Sequence, residues 1–554
     1  MDNQRFFLYI SLLFVLYLLW SSWTQHNAPP VETQVAQGQT TEQQRTIENN
    51  DVPAAADANT PSTVSSVKPT RIIADEYVTV ETDVFKLLIN TRGADIYRAE
   101  LKTYPIDIDQ PENPLVLLDN EAKTYITQSG LLHDRVGNLD TSGLAPNHHD
   151  IYATDSKRYV LADGQDELIV PFTWRSEKGL QVTKTYRFQR GEFLVHMDYN
   201  ITNQGEQDWI GRQYRQLRHS YVSGERSLLR LPTYTGGAYY DTKYEKISFE
   251  DMLDEPLAKE VAGGWVGMLQ HYFFSAWVAE EFENNHFYSN VVKKNTVGSD
   301  YIVGMRSEAV KIGPNESAEF LNRLYTGPKL QKRIEEIQPG LELTTDYGMF
   351  TPLCKPLFWL LDFIYQYVKN WGWAIILVTL LIKIVFYRLS AASYRSMARM
   401  RKVQPKMVAL RERYGDDKQK LNTAMWDLYK KEKINPLGGC LPILIQMPVF
   451  LSLYWVLIES VEMRHAPFML WIQDLSSKDP LFILPLLMGI SMFIQFKLNP
   501  RPPDPMQEKI FMIMPIFMTA FMAFFPAGLV LYWFVNNLLS IAQQWYITKR
   551  FANE

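Results

Sequence analysis

A run of seventeen residues from position 371 to 387 is apolar and of membrane length, yet it contains a lysine, Lys383. A charge at the centre of a membrane-spanning helix costs roughly 2.5–3.5 kcal/mol on insertion scales. Such a residue therefore tends to face water or a partner and to mark a pathway through the protein. Lys383 is the first place in which to look for function.

The averages of the whole chain hide a strong segregation of apolar residues. With 554 residues, 46% of them hydrophobic, and a net charge of −5, the composition is that of a soluble protein. The long uncharged runs, however, lie at the start of the chain and in its last two hundred residues, while residues 24 to about 345 are polar. This pattern predicts a membrane protein with a large domain outside the membrane.

The N-terminal segment, residues 1–23, predicts a retained transmembrane anchor. A cleaved signal peptide is the alternative, but the apolar core is longer and more aromatic than is usual and no small-x-small cleavage site follows it. Residues 24–70 contain no aromatic residue and are rich in Gln, Thr, Ala and Pro, which predicts a disordered linker.

Residues 71–345 show alternation of period two, as in the runs 182–188 and 193–201, which Arg190 and Gly191 join into a hairpin. Helical periodicity is almost absent, so we expect a large antiparallel β-sandwich. Its aromatic residues could line a sugar-binding surface, although aromatic residues in strands more often form the core. His148 and His149 have no third ligand at a useful spacing in the sequence, so no metal site is expected there.

The block 390–433 is strongly basic, which predicts that it lies in the cytoplasm. Its apolar residues recur at three-to-four spacing on both sides of a Gly-Asp turn, which indicates a helical hairpin. The methionines there either pack the hairpin or offer an adaptable surface to a client. For client capture we name Met397, Met400, Met407, Arg399 and Arg401.

We predict six transmembrane helices with both chain termini in the cytoplasm, the anchor followed by five helices in a core over residues 350–550. The uncharged run from 510 to 548 is too long for one helix and is broken near Pro526. An apolar segment bracketed by lysines precedes Lys383 and suits an interfacial helix, or else it extends the next span. The predicted core elements are an interfacial helix at 355–369, the hairpin at 390–433, and spans at 371–388, 437–458, 481–497, 510–525 and 528–547.

Polar residues within the spans are few. Thr379 and Lys383 are four residues apart and share a helix face, and Asn536, Ser540 and Gln543 share another. Interhelical hydrogen bonding explains each of them alone. The last four spans contain no Asp or Glu, so Lys383 needs water, and we expect a hydrated cavity that opens toward the cytoplasm.

The sequence gives no sign of a cofactor, and nothing in it indicates recognition of nucleic acid. The Walker A pattern GxxxxGK[ST] is absent. Energy for moving a client must then come from partitioning of apolar surface, or from the membrane potential at about 2.3 kcal/mol per charge per 100 mV.

Four segments of the last two hundred residues are distinctive. They are MRKVQPKMVALRERYGDD (400–417), NPLGGCLPILIQMPVF (435–450), DPMQEKIFMIMPIFM (504–518) and FPAGLVLYWFVNNLLSIAQQ (525–544). These segments resemble the YidC/Oxa/Alb family of membrane protein insertases, for which NPLGGCLPILIQMP (435–448) is very specific. The resemblance covers about residues 350–550 in order, and the β domain, linker and first span resemble the Gram-negative YidC type.

The resemblance implies a non-enzymatic insertase and chaperone of the inner membrane, with a supersandwich-like periplasmic domain. It would act on nascent membrane proteins, alone or with the SecYEG translocon and SecDF, beside the phospholipid bilayer, and with the ribosome or signal recognition machinery as further partners. It implies a groove whose basic residue is usually arginine; Lys383 keeps the charge but loses the bidentate fork. The predicted groove residues are Lys383, Thr379, Gln446, Tyr532, Trp533, Asn536 and Ser540.

Two other functions remain open from the sequence. The first is a transporter or channel in which Lys383 is an anion site, although the five core spans show no internal repeat. The second is a sugar-modifying enzyme in the β domain carried on a membrane anchor, although no pair of carboxylates or nucleophile with its base supports it.

Overall fold

The computed structural model describes residues 51–53, 76–121, 123–134, 144–221, 234–293, 298–415, 417–432, 441–499 and 505–552. The predicted anchor at 1–23 and most of the predicted linker lie outside these ranges. The chain divides into two units. The β unit comprises Glu48–Pro352 and Trp455–Ala466, and the helical unit includes Leu353–Tyr454 and Pro467–Glu554.

The β unit is built from strands, as the alternating sequence predicts. The predicted hairpin is present as β8 and β9, paired antiparallel with Lys184 opposite Tyr199. The strands are β1 Tyr77–Glu81, β2 Phe85–Asn90, β3 Asp95–Pro105, β4 Pro114–Leu118, β5 Tyr125–His133, β6 Arg158–Val160, β7 Glu167–Arg175, β8 Leu180–Gln189, β9 Leu194–Asn203, β10 Trp209–Tyr221, β11 Gly236–Tyr240, β12 Tyr244–Ile247, β13 Ala258–Ala262, β14 Trp265–Leu269, β15 Phe273–Val278, β16 Asn284–Lys293, β17 Ser299–Ser307, β18 Val310–Ile312, β19 Ser317–Phe320 and β20 Arg323–Pro328.

These strands form three sheets around one apolar core. The orders are β4-β3-β2-β1-β6, then β13-β16-β17-β10-β18 with β5 also on β10, then β12-β11-β14-β15-β20-β9-β8-β7 with β19 also on β9. The pairing is antiparallel, as predicted, except that β1 and β6 run parallel. Buried side chains of all three sheets, such as Leu87, Val195 and Met305, belong to one continuous cluster.

Three residues of the predicted linker, Asp51–Pro53, are described and lie against the β unit. The side-chain amide of Gln216 donates to the main-chain oxygen of Asp51 at 2.9 Å, and Arg218 donates to its carboxylate at 3.0 Å. The predicted disorder therefore does not extend to these three residues.

The helices account for most of the helical unit. Two short helices, α1 Asp251–Asp254 and α2 Gln331–Ile337, belong to the β unit, and α7 enters it with its last turn. The remaining helices are α3 Thr351–Val368, α4 Trp371–Val385, α5 Tyr387–Tyr414, α6 Lys418–Lys431, α7 Leu441–Glu459, α8 Ile483–Leu498, α9 Pro505–Met522 and α10 Ala527–Ala552.

Large apolar side chains are exposed along α8 and α9, which is the pattern of surfaces that meet lipid. No single helix among the described residues is long and apolar enough to cross a membrane alone. Helices α4 and α5 together reach that length and hydropathy, with a bend of 68° between them. The exposed residues are Leu486, Leu487, Ile490, Phe493 and Ile494 on α8, and Ile510, Phe511, Met512, Ile513, Ile516, Phe517 and Phe521 on α9.

Helix α10 is the centre of the helical unit, because α4, α5 and α8 all pack on it. Helix α9 also packs on α8. A Cβ added to Gly489 of α8 would lie 1.9 Å from the hydroxyl of Thr519 on α9, so only glycine permits this approach. The basic hairpin of α5 and α6 begins its second helix at Asp417, whose carboxylate accepts from the backbone N–H of Lys420 at 3.0 Å.

Candidate functional site

Helix α4 carries Lys383 into the interior of the helical unit. The helix begins at Asn370, whose side chain accepts from the backbone N–H of Trp373 at 3.1 Å. Thr379 and Lys383 lie on the same buried face, with 1% and 6% of their surface exposed. The hydroxyl of Thr379 donates to the carbonyl of Ile375 at 2.6 Å, which satisfies it within its own helix. Lys383 is thus the charged end of an otherwise apolar face.

The Lys383 ammonium contacts α10. Its Nζ donates to the hydroxyl of Ser540 at 2.7 Å, and that hydroxyl donates to the carbonyl of Asn536 one turn earlier, also at 2.7 Å. The structure thus brings two predicted groove residues, Lys383 and Ser540, into contact, and the third, Asn536, is linked to them through its backbone carbonyl.

Lys383 is poorly compensated for a buried cation. Within the described part of the chain, Ser540 is its one hydrogen-bond partner and no carboxylate forms an ion pair with it. An ammonium carries three N–H donors, so two of them lack a protein acceptor among these residues. On α10 the buried side-chain amide of Gln543, three residues after Ser540, also has no protein partner. Water is the expected partner of such groups.

A second cluster of predicted groove residues lies two turns away along α10. The ring of Phe450 on α7 stacks on Tyr532, with centroids 6.3 Å apart, and meets Trp533 edge-to-face at 4.6 Å. The amide nitrogen of Gln446, one turn before Phe450, is buried without a partner. At 1.5 Å per residue, the eight residues from Tyr532 to Ser540 place the two clusters about 12 Å apart.

The residues predicted to capture clients fall into two groups on the hairpin. Met397 and Met407 are buried, Met400 is partly buried, and Arg399 and Arg401 are exposed. Met397 packs with Ile547 of α10. The methionines therefore pack inside the helical unit, as the first of the two alternatives predicts. Of the five predicted residues, the two arginines are the exposed ones. Met407 packs with Val403, Met400, Met425, Leu428 and Tyr429.

Sequence reasoning missed the polar contacts that join α8 to α10. The amide of Asn537 donates to the hydroxyl of Ser491 at 3.1 Å, and Gln544 donates to the carbonyl of Leu498 at 3.2 Å. Phe450 was also missed. Nothing marks these partners in the sequence, since each pair is separated by at least 45 residues and a lone serine or phenylalanine in an apolar helix is common.

Two family models match the chain along most of its length. The model described as YidC periplasmic domain matches residues 77–360, and the one described as 60Kd inner membrane protein matches residues 363–554. The protein named membrane protein insertase YidC from Thioalkalivibrio sulfidiphilus is 54% identical over 554 residues, covering 99% of this chain and 98% of its own. The chain belongs to the YidC insertase family.

The chain is also similar to a second curated protein and to a solved structure. The protein of the same name from Methylobacillus flagellatus is 47% identical and covers 99% of this chain and 97% of its own. A solved structure titled as an active YidC insertase with its first transmembrane domain resolved covers 86% of this chain and 93% of its own, with 16% identity and a TM-score of 0.40.

Membership of the YidC family determines the broad biology of the chain. It is an inner-membrane protein with a periplasmic domain, the matched region 77–360, and it belongs to a family of insertases and not of enzymes. The insertase prediction is confirmed, whereas the transporter or channel and the sugar-modifying enzyme have no support from these comparisons.

Proposed function

We propose that this insertase receives the polar flank of an incoming hydrophobic segment at Lys383 and releases the apolar part of that segment into the bilayer. Its clients are nascent membrane proteins. The buried ammonium attracts acidic groups of a client, because an opposite charge in a low-dielectric site gains far more than in water. The barrier to moving a polar tail partway across the membrane falls accordingly.

The observation that carries this proposal is the incomplete bonding of Lys383. The β unit contains another buried lysine, Lys184, with no exposed surface, and its Nζ reaches three acceptors. These are the carbonyl of Gly93 at 2.9 Å, the carboxylate of Asp95 at 2.6 Å and the hydroxyl of Ser129 at 2.8 Å. Lys184 is fully satisfied by the protein, whereas Lys383 has capacity left for a ligand.

The wider groove and its partners belong to the same proposal. We assign Thr379, Gln446, Tyr532 and Trp533 to the path of the client, with Arg399 and Arg401 attracting it to a cytoplasmic hairpin. Both termini then lie in the cytoplasm. SecYEG with SecDF, and the ribosome or signal recognition machinery, are the partners proposed for larger clients, while small clients insert without the translocon.

The test is insertion of a Sec-independent client whose translocated tail carries acidic residues. We expect Lys383→Ala to lower the inserted fraction at least tenfold and Lys383→Arg to restore most of it, because arginine keeps the charge. Protease protection of the translocated tail in inverted membrane vesicles measures insertion.

Lys497 provides the matched control. It is an exposed lysine near the end of α8 whose Nζ lies 4.8 Å from the ring centroid of Phe493. Lys497→Ala should leave insertion unchanged, and a client whose acidic residues are changed to amides should depend less on Lys383. Full insertion by a stably expressed Lys383→Ala variant would exclude the proposed role of the charge.

A further inference from the structure

Three side chains from two distant segments converge on the β unit. Asp51 lies in the predicted linker, while His148 and His149 follow 97 and 98 residues later. His149 Nε2 is 3.0 Å from Asp51 Oδ1, and His148 Nε2 is 3.3 Å from Asp51 Oδ2. One ligand atom from each of the three residues lies within 4.8 Å of the others. The sequence supplied two adjacent histidines, and the fold supplies the third ligand.

Tyr214 orients His148, the buried histidine of this cluster, through the ring nitrogen that faces away from Asp51. The hydroxyl of Tyr214 lies 2.6 Å from His148 Nδ1 and also accepts the backbone N–H of His148 at 3.1 Å. His148 is 2% exposed, and its Nε2, which faces Asp51, has no hydrogen-bond partner. A partner at the far ring nitrogen fixes the orientation of metal-binding histidines. In the tautomer whose Nδ1–H donates to Tyr214, the lone pair of Nε2 is directed at the carboxylate of Asp51, and a cation between these two acceptors removes their repulsion. In the other tautomer, Nε2–H points at the carboxylate, and a metal ion displaces that proton.

The spacing of the donor atoms suits a small divalent ion. Zinc bonds to imidazole nitrogen and carboxylate oxygen at about 2.0–2.1 Å, and tetrahedral geometry then keeps the ligand atoms about 3.3 Å apart. The measured separations of 3.0 and 3.3 Å are close to this value. Two imidazole nitrogens and one carboxylate oxygen are ligands of intermediate softness. Such a set favours zinc over calcium or magnesium, which prefer oxygen ligands.

Arg218 also touches Asp51 and holds its second oxygen. Arg218 donates to Asp51 Oδ2 at 3.0 Å and pairs with the buried Asp300 at 2.7 Å. The two carboxylates together outweigh the one guanidinium, so the site keeps a net negative charge when the imidazoles are neutral. Oδ1 contacts His149 and not Arg218, so this one oxygen can bind a metal that His149 shares.

We propose that Asp51, His148 and His149 bind a divalent transition-metal ion, with Zn²⁺ as the best match, and thereby fasten the segment Asp51–Pro53 to the β unit. The half-exposed His149 leaves the fourth coordination position open to water. The role is structural: it fixes the point at which the chain from the anchor reaches the periplasmic domain. It is separate from the insertion site at Lys383.

The experiment uses the full-length protein, purified in detergent without a polyhistidine tag and stripped with a chelator. After addition of Zn²⁺ and gel filtration, we expect about one zinc per chain by atomic emission. Addition of Co²⁺ should produce visible absorption typical of a tetrahedral site, and Zn²⁺ should remove it. His149→Gln and Asp51→Asn should each weaken binding at least tenfold.

A second histidine next to a carboxylate serves as the control. His286 Nδ1 lies 2.7 Å from the carboxylate of Glu260, a two-residue pair that belongs to no three-ligand cluster among the described residues. His286→Gln should bind zinc as the unmodified protein does. The side chain of His149 is 52% exposed, so its substitution does not threaten folding, which circular dichroism will verify. The proposal is overturned if the unmodified protein retains no more zinc than His149→Gln, or if His286→Gln loses as much.

Discussion

Lys184 and Lys383 are both buried, but the protein bonds their ammonium groups to different extents. Lys184 has three protein acceptors, including a carboxylate, and all three lie in the β unit. Lys383 has one hydroxyl. Burying an ammonium without its hydrogen bonds costs free energy. A client or water that supplies acceptors to Lys383 lowers this cost.

His219 gives the β unit a predictable response to acid. Its ring is buried between Tyr125, at 4.8 Å, and Phe249, at 5.6 Å, and burial lowers the pKa of His219 to about 4 from the usual 6.5. Between these values the unfolded chain binds a proton that the folded chain does not. The free energy of unfolding should therefore fall as the pH falls from 6.5 to 4, with a slope of up to about 1.4 kcal/mol per pH unit from this residue.

Substitution His219→Phe should remove that contribution, because phenylalanine fills the space between the two rings and does not titrate. Unfolding of the β unit, followed by the loss of its β-sheet circular dichroism at several pH values, measures the slope. An unchanged slope in His219→Phe would show that other groups dominate the response to acid.

At this scale the sequence identified Lys383 because a charge in an apolar run is visible locally. It also grouped Asn536 with Ser540, since helical spacing alone defines a shared face. It could not pair Lys383 with Ser540, or Asp51 with His149, because these contacts join residues 157 and 98 positions apart and depend on the fold.

Helix α8 is held between two neighbours by different means. Toward α10 it uses the hydrogen bond between Asn537 and Ser491. Toward α9 it uses close approach at Gly489, where the Thr519 hydroxyl is fixed by its bond to the carbonyl of Pro515 at 2.7 Å. Small residues allow such approach between membrane helices, where van der Waals packing drives association.

Gly489→Ala should therefore destabilise the helical unit by up to about 2 kcal/mol. Overpacking of about 1–3 kcal/mol outweighs the helix propensity of about 1 kcal/mol that alanine gains over glycine. Thermal unfolding in detergent measures the loss. The pair Gly489→Ala with Thr519→Ala should recover most of it, since the clashing hydroxyl is gone, while Thr519→Ala alone should be close to neutral. A Gly489→Ala protein as stable as the parent would contradict this account of the helix contact.

Elements were easier to predict than their arrangement. Alternation of period two revealed strands such as β8 and β9, because one face of each is buried. The order of strands in three sheets, and the parallel pairing of β1 with β6, depend on long-range contacts that no local pattern encodes. Helical spacing likewise showed that Met397 and Met407 share a face, but not that this face is buried.

On the scale of the whole molecule, the hydrogen bonds of the proposed insertion site lie within one unit of the chain. Lys383, Ser540 and Asn537, together with their described hydrogen-bond partners, all belong to the helical unit. Nothing in this cluster requires the three sheets. The sequence had already separated the two parts, because apolar runs and alternating runs occupy different stretches of the chain.

A variant that lacks residues 76–328 should keep insertion of a Sec-independent client within about twofold of the full chain at equal expression. Adding Lys383→Ala to that variant should abolish insertion, which ties the remaining activity to the same charge. Protease protection of the client tail measures both. Loss of insertion on deletion alone, with the shortened protein still present and folded, would assign an essential role to the β unit.

Helices α4 and α5 meet at a bend of 68°. A single residue, Phe386, separates Val385 from Tyr387, and Lys383 stands three residues before this corner. The long basic helix α5 is therefore joined almost directly to the last turn of α4, which carries Lys383. A force on α5, such as the pull of a growing polypeptide, therefore acts at the bend. A rotation of α5 about this bend should turn the Lys383 side chain relative to Ser540.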